Sequence, residues 1–195
     1  LFIFVIEFLS LNFVFAKDVL ESEIILKAKK LSHFYNENIY VAEGQVQVLE
    51  HNASLYADKI IYYKNEDKMI AIGNVKFIDK EGAIYNSEEI ELSDSLKRGV
   101  VKNLRATLID QSHITANKAI KINDDLYQLE DAKYSPCKIN DDPDIPPQWQ
   151  LRAKKVTLDN EKQSIKYNHV FFEYEGVPVF YSPYLSHPTP YADRK

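Results

Sequence analysis

The residues that could run a reaction do not assemble into a pattern in this chain. The five histidines stand at 33, 51, 113, 169 and 187, with no paired spacing and no partner cysteine. A metal site needs such ligands at short, fixed intervals, so each histidine reads as a surface or turn residue, and no metal or other cofactor is implied. Cys137, in Tyr134-Ser135-Pro136-Cys137, is the one cysteine. It has no internal disulfide partner, and no neighbouring motif supports a nucleophilic role. The paired polar positions Asp58-Lys59, Glu88-Glu89, Asn117-Lys118 and Lys154-Lys155 do not repeat one chemistry. Acid–base work on a polysaccharide would need them to. The recurrent feature is apolar: a long continuous surface rather than a point-like catalytic site, which either packs two sheets together or lines a groove.

That feature is a spacing of apolar, x, small, x, x, apolar, x, apolar. Its copies are Leu55-Ala57-Ile60-Tyr62, Tyr85-Ser87-Ile90-Leu92, Ile114-Ala116-Ala119-Lys121 and Leu151-Ala153-Val156-Leu158. The small residue steps by 30, 29 and 37 positions, and only Lys121 breaks the apolar series. A fixed period of this size means one structural rung laid on another. Within a copy, residues two apart share a strand face. The three-residue step from 57 to 60 requires an extra residue, as a β-bulge or a sharp corner supplies.

A second half-motif precedes the first two copies. Val41-Ala42-Glu43-Gly44-Gln45-Val46-Gln47-Val48 is matched 29 residues later by Ile70-Ala71-Ile72-Gly73-Asn74-Val75-Lys76-Phe77. Alternation of this kind marks a half-buried strand, and its glycine marks a bend. Each repeat is thus two strands joined by a turn such as Asp79-Lys80-Glu81-Gly82. The third repeat keeps alternation through Val101 and Leu104–Leu108 but loses the glycine. With 13 Tyr, 10 Phe and no long helical periodicity after residue 30, the chain reads as all-β. Its 24 basic and 29 acidic residues give a net charge of −5, and without a basic run nucleic acid is excluded as the expected partner.

The ends differ from the middle. Leu1 to Ala16 is apolar apart from Glu7, Ser10 and Asn12, and Val14-Phe15-Ala16 precedes charged Lys17-Asp18. Residues 1–16 therefore read as a signal peptide whose basic n-region and initiator Met lie upstream, and the mature chain is expected to be exported. Asn140 to Pro147 is acidic and Pro-rich, an insertion between rungs that accounts for the 37-residue step. Gly176 to Pro188 is aromatic, Pro-rich and uncharged but for histidine; its prolines preclude a central strand. It is expected to lead from the domain towards a further one.

Three segments carry a resemblance: Tyr134-Ser135-Pro136-Cys137, Pro147-Gln148-Trp149-Gln150-Leu151-Arg152-Ala153, and Gly176-Val177-Pro178-Val179-Phe180-Tyr181-Ser182-Pro183-Tyr184-Leu185. They resemble the periplasmic part of the LptD family of lipopolysaccharide-assembly proteins, and the Ala-x-Gly-x-Val and Leu-x-Ala-Asp-x-Ile repeats resemble the OstA-like domain of Lpt transport proteins. The resemblance implies an OstA/LptA-like β-jellyroll over residues 17–175, two facing antiparallel sheets. Residues 176–195 would be the lead-in to an outer-membrane barrel that this sequence does not contain. It implies no enzyme. Its apolar groove would carry lipid A acyl chains of lipopolysaccharide, in the periplasm and at the outer membrane. Expected partners are an LptA-like bridge protein, added at an open sheet edge near Glu37 to Val48, and an LptE-like lipoprotein acting through the barrel.

Laid on that fold, the repeats place Leu55, Ala57, Ile60, Tyr62, Tyr85, Ser87, Ile90, Leu92, Ile114, Ala116, Leu151, Ala153, Val156 and Leu158 along one wall. Val46, Val48, Val75 and Phe77 would line the opposing strands. Lys121 would point outward or reach the rim. The resemblance also implies that Cys137 bonds to the barrel, outside this chain, since Asn140 stands where some relatives have a second cysteine. Two rivals stand beside this reading: a secreted β-helix enzyme acting on polysaccharide, and a structural β-solenoid.

Overall fold

The computed structural model describes residues 24–50, 52–94, 97–137 and 145–188. The expected signal peptide and Asn140 lie outside them. Twelve strands follow one another: β1 (Ile24–Lys27), β2 (Lys30–Phe34), β3 (Ile39–Glu50), β4 (Ala53–Tyr63), β5 (Lys68–Ile78), β6 (Ile84–Ser93), β7 (Arg98–Thr107), β8 (His113–Lys121), β9 (Leu126–Ser135), β10 (Trp149–Asp159), β11 (Ser164–Tyr174) and β12 (Val177–Pro188). From β3 onward each strand pairs antiparallel with the next, in one continuous sheet. Among the described residues there is no α-helix, only a 3-10 turn at Lys64–Glu66. The antiparallel ladder bears out the all-β reading and contradicts a β-helix, whose rungs pair in parallel.

Short side chains that bind their own backbone close the hairpins. The Asp79 carboxylate accepts from the amides of Glu81 and Ala83, each at 2.9 Å. Asp110 accepts from the Ser112 amide at 2.9 Å and its hydroxyl at 2.6 Å. The Asn123 side chain accepts from the amides of Asp125 and Leu126, and Asp159 accepts from the Lys162 amide at 2.9 Å.

One line of defects crosses the sheet and folds it. Pairing slips between Glu43 and Val46, between Tyr56 and Lys59, and between Ile72 and Val75. On the odd-numbered strands the line runs through left-handed residues: Gly44 and Gln45, Gly73 and Asn74, Asn103, Asp131 and His169. On the even-numbered strands it passes just beyond Ala57, Ser87, Ala116 and Ala153. These are the small residues of the repeat, and the three-residue step is the bulge that it required. β3 and β5 place two consecutive residues at positive φ, and glycine takes the first. β7, β9 and β11 need one, which Asn, Asp and His adopt more readily than most side chains. The third repeat therefore keeps its bend without its glycine. At Gly73 (φ 77°) a Cβ would also meet the Asp58 carboxylate at 2.5 Å, and that carboxylate accepts from the Asn74 amide group at 2.8 Å.

The two layers are thus two arms of the same bent strands rather than separate sheets. Side chains from both arms meet on the inside: Ala42, Ile60, Met69 and Ala71 from one arm join Val46, Val48, Ala57 and Val75 from the other. A second cluster, Ala116, Ala132, Ala153, Val156, Tyr167 and Val170, fills the bend of β8 to β11. At the N-terminal end β3 is not an edge. β1 covers its Gln47–Glu50 half and β2 its Ile39–Glu43 half, so the expected edge near Glu37 to Val48 moves outward to these short strands. Periodicity does not reveal them, because four and five residues are too few to show it. The boundary drawn at 175/176 falls in the turn before β12.

Candidate functional site

Register builds the inner surface row by row. On one arm Leu31, Ala42, Ile60, Ala71, Ile90, Val101, Ala119, Leu129, Val156, Tyr167 and Leu185 are successive cross-strand partners from β2 to β12. On the other arm Leu26, Val48, Leu55, Phe77, Tyr85, Ala106, Ile114, Tyr134, Leu151, Phe172 and Phe180 do the same from β1 through β3 to β12. No polar residue other than the tyrosine hydroxyls interrupts either row. With strands about 4.8 Å apart, each row runs roughly 48 Å across the sheet. Between them, at the bend, lie Val46 beside Ala57, Val75 beside Ser87, and Ala153 between Ala132 and Val170.

The expected lining residues all fall on these inward positions, but not on the expected walls. Each repeat copy crosses both arms. Leu55 and Ala57 stand on one, Ile60 and Tyr62 on the other. Val48 and Phe77 flank Leu55 in its own row rather than facing it. Val46 likewise sits beside Ala57 and Val75 beside Ser87. Ile90 and Val156 continue the row of Ile60, and Leu92 and Leu158 the row of Tyr62. Ile114 and Leu151 continue the row of Leu55, while Ala116 and Ala153 hold the bend. Residues that sequence reasoning passed over are those of the later odd strands: Val101, Leu129 and Tyr167 on one row, Ala106, Tyr134 and Phe172 on the other. Their signal was plain alternation without a glycine landmark.

Burial is deepest beside the bend and uneven along the arms, where Met69 is also buried. Val46, Ala71 and Val75 are at most 1% exposed, whereas Leu55, Tyr62, Phe77, Ile114, Leu151 and Leu158, further out on the arms, are only half-buried. Apolar side chains that face inward thus still reach solvent along the arms. The polar atoms among them are tied back. The Tyr62 hydroxyl donates to Asp67 at 3.3 Å and that of Tyr85 to Asp79 at 3.2 Å. Burial first, then the neighbouring carboxylate, raises both phenols, Tyr85 to about 12. Tyr167 pairs with His187 across 3.1 Å. Lys121 lies in the outermost row, with its ammonium 2.8 Å from Asp124 in the following turn, which is the rim position expected of it. The Ser87 hydroxyl, at the bend, is buried without a partner among the described residues.

The outside is polar. The row behind Ile60 reads Glu43, Lys59, Ile72, Glu89, Lys102, Lys118, Glu130 and Lys155. Lys59 meets Glu43 at 2.9 Å and Lys102 meets Glu89 at 2.7 Å, and in each pair the lysine holds the geometry without burial. Among the described residues no three of His, Cys, Asp and Glu gather where they could hold a metal ion. Cys137 is half-buried with a free thiol. Its amide donates to the Ser135 hydroxyl at 3.1 Å, which donates to the Trp149 carbonyl at 2.7 Å.

No family model matches the chain. Curated relatives do. LPS-assembly protein LptD of Aliivibrio fischeri is 32% identical over 73 residues, 37% of this chain and 9% of the relative. LptD of Pasteurella multocida is 26% identical over 108 residues, 55% of this chain and 13% of the relative. LptD of Methylococcus capsulatus is 37% identical over 59 residues, 30% of this chain and 5% of the relative. The matches thus span about a tenth of those proteins' length. Among solved structures, LptH of Pseudomonas aeruginosa, a periplasmic lipopolysaccharide-transport component homologous to LptA, aligns with 87% of this chain and 96% of its own at 12% identity, with a TM-score of 0.30, too low to fix a common fold. Over those stretches the chain is similar in sequence to LptD proteins, and its own architecture is a single antiparallel ladder of bent strands.

Proposed function

We propose that the space between the two arms is an open trough that carries lipopolysaccharide, holding its lipid A acyl chains while the sugar headgroup stays in water. The observation that supports this most is the pair of unbroken apolar rows. They offer the same surface at every strand, so an acyl chain meets no strong trap along the path. Each methylene kept from water is worth ~0.8 kcal/mol, which makes the trough a refuge but not a motor; directed movement draws on energy supplied elsewhere. The named residues from Val46 to Leu158 are the lining in this reading. A bridge protein of the LptA kind adds a strand beside β1 and β2, beyond which no strand pairs among the described residues and backbone groups at such an edge can template one. An LptE-like lipoprotein engages a barrel beyond this chain, to which Cys137 is bonded, and the setting is the periplasmic face of the outer membrane.

Photo-crosslinking amino acids test the reading. Placed at Leu55, Ile90 or Val156, they are expected to capture lipopolysaccharide. Placed at Lys59 or Lys166, which the register turns outward, they are not. Equal labelling of the two sets would show that acyl chains do not select the inner rows.

A further inference from the structure

The outer face is not electrically uniform. Behind β7 to β11, Arg105, Lys118, Lys133, Lys155 and Lys166 stand on outward positions, and among the described residues none of them is in an ion pair. Arg105, Thr115, Lys133 and Arg152 form one cross-strand row. Across the bend, Lys118 directly faces Lys102. The acidic groups among them are each beside a cation: Glu130 lies between Lys118 and Lys155 in register, Asp131 is held by Lys154 at 2.7 Å, Asp159 by Lys162 at 3.1 Å and Glu173 by Arg152 at 2.6 Å. Behind β3 to β6 the balance reverses, with Glu43, Asp58, Glu88, Glu89 and Glu91 against Lys59, Lys68 and Lys76. A chain of net charge −5 therefore carries a local excess of cations on one half of its outer face.

Aromatic side chains continue that patch to the sheet edge. The Arg152 guanidinium lies 4.6 Å from the Phe171 ring centre, and Phe171 packs on Tyr181 at 4.8 Å. Tyr181 is 45% and Tyr184 56% exposed, and Tyr184 follows Lys155 and Asn168 in their row. Cations that reach phosphates, bordered by tyrosines that favour the boundary between headgroup and hydrocarbon, are the composition of a surface that lies on a membrane.

We propose that the outer face of β7 to β11, bordered by Tyr181 and Tyr184, docks on an anionic lipid surface. This is separate from the trough, since every residue invoked points away from it. Because the whole chain is acidic, the attraction is local and acts only within a screening length of the surface, about 10 Å at 0.1 M salt.

Co-sedimentation of the full chain with phosphatidylcholine vesicles, with and without phosphatidylglycerol, tests it. Binding is expected only to the anionic vesicles and is expected to vanish in high salt. Lys118→Gln and Lys133→Gln are each expected to weaken it roughly fivefold, with unchanged circular dichroism. Lys76→Gln on the acidic half, and Leu55→Ser in the trough, are expected to leave it intact. If Leu55→Ser alone abolished binding, acyl uptake and not the outer face would be responsible, and the proposal would fail while the trough reading stood. Equal binding to both vesicle types, equal loss with Lys76→Gln, or retention on nucleic acid or an acidic polypeptide without vesicle binding would also overturn it.

Discussion

At the scale of single residues, the inner surface depends on keeping phenols neutral. Tyr85 is half-buried between Phe77, 5.8 Å away ring to ring, and Ala106. Burial, then the Asp79 charge, pushes its hydroxyl up to about 12 from an ordinary 10. The folded state therefore holds this proton more tightly than the unfolded chain does. Its contribution to stability is complete below about pH 10 and is lost as pH rises from there through about 12. Tyr62 and Tyr167 shift in the same direction for the same first cause. Urea unfolding measured across this window should show stability declining with pH, and Tyr85→Phe should remove part of the decline. A Tyr85→Phe profile parallel to that of the parent would mean that folding does not raise the pKa of this phenol.

Between residue and molecule stands the strand, and the two ends of the sheet are built differently. β12 pairs with β11 along its whole length, yet Val177, Val179, Phe180, Tyr181, Tyr184 and Leu185 remain exposed. Pro178, Pro183 and Pro188 lack the amide that a further strand would use, so this edge resists extension. Pro183→Val should therefore raise self-association, read by sedimentation velocity at increasing concentration; no change in mass would show that proline is not what guards the edge. The aromatic tail was legible as something other than a central strand because proline declares itself in sequence. The bend was legible on β4, β6, β8 and β10 because a small residue followed by a three-residue step recurs there. It was illegible on β7, β9 and β11 because Asn103, Asp131 and His169 each take a single left-handed conformation, which leaves no compositional mark beside ordinary surface residues. The wall assignment failed for a related reason: once each strand bends, one repeat copy contributes to both arms, which period alone does not reveal.

At the scale of the whole molecule, strands contact their sequence neighbours, and the interior divides into two clusters, one around Val46 and Val75 and one around Val156 and Val170. Structures built this way hold together by nearest-neighbour terms, so damage should stay local. Val75 is 1% exposed, and Val75→Ala should cost about 1–2.5 kcal/mol. Amide hydrogen exchange should speed up in β3 to β6 and change little in β9 to β11. Uniform acceleration along the chain would mean that the two clusters unfold as one.

The same neighbour-only connectivity sets how the domain yields to tension. Held at its two termini and stretched, it would peel hairpin by hairpin from either end. The force trace would be a series of small teeth rather than one tall rupture, and the surviving rungs would keep their shape while the outer ones came away.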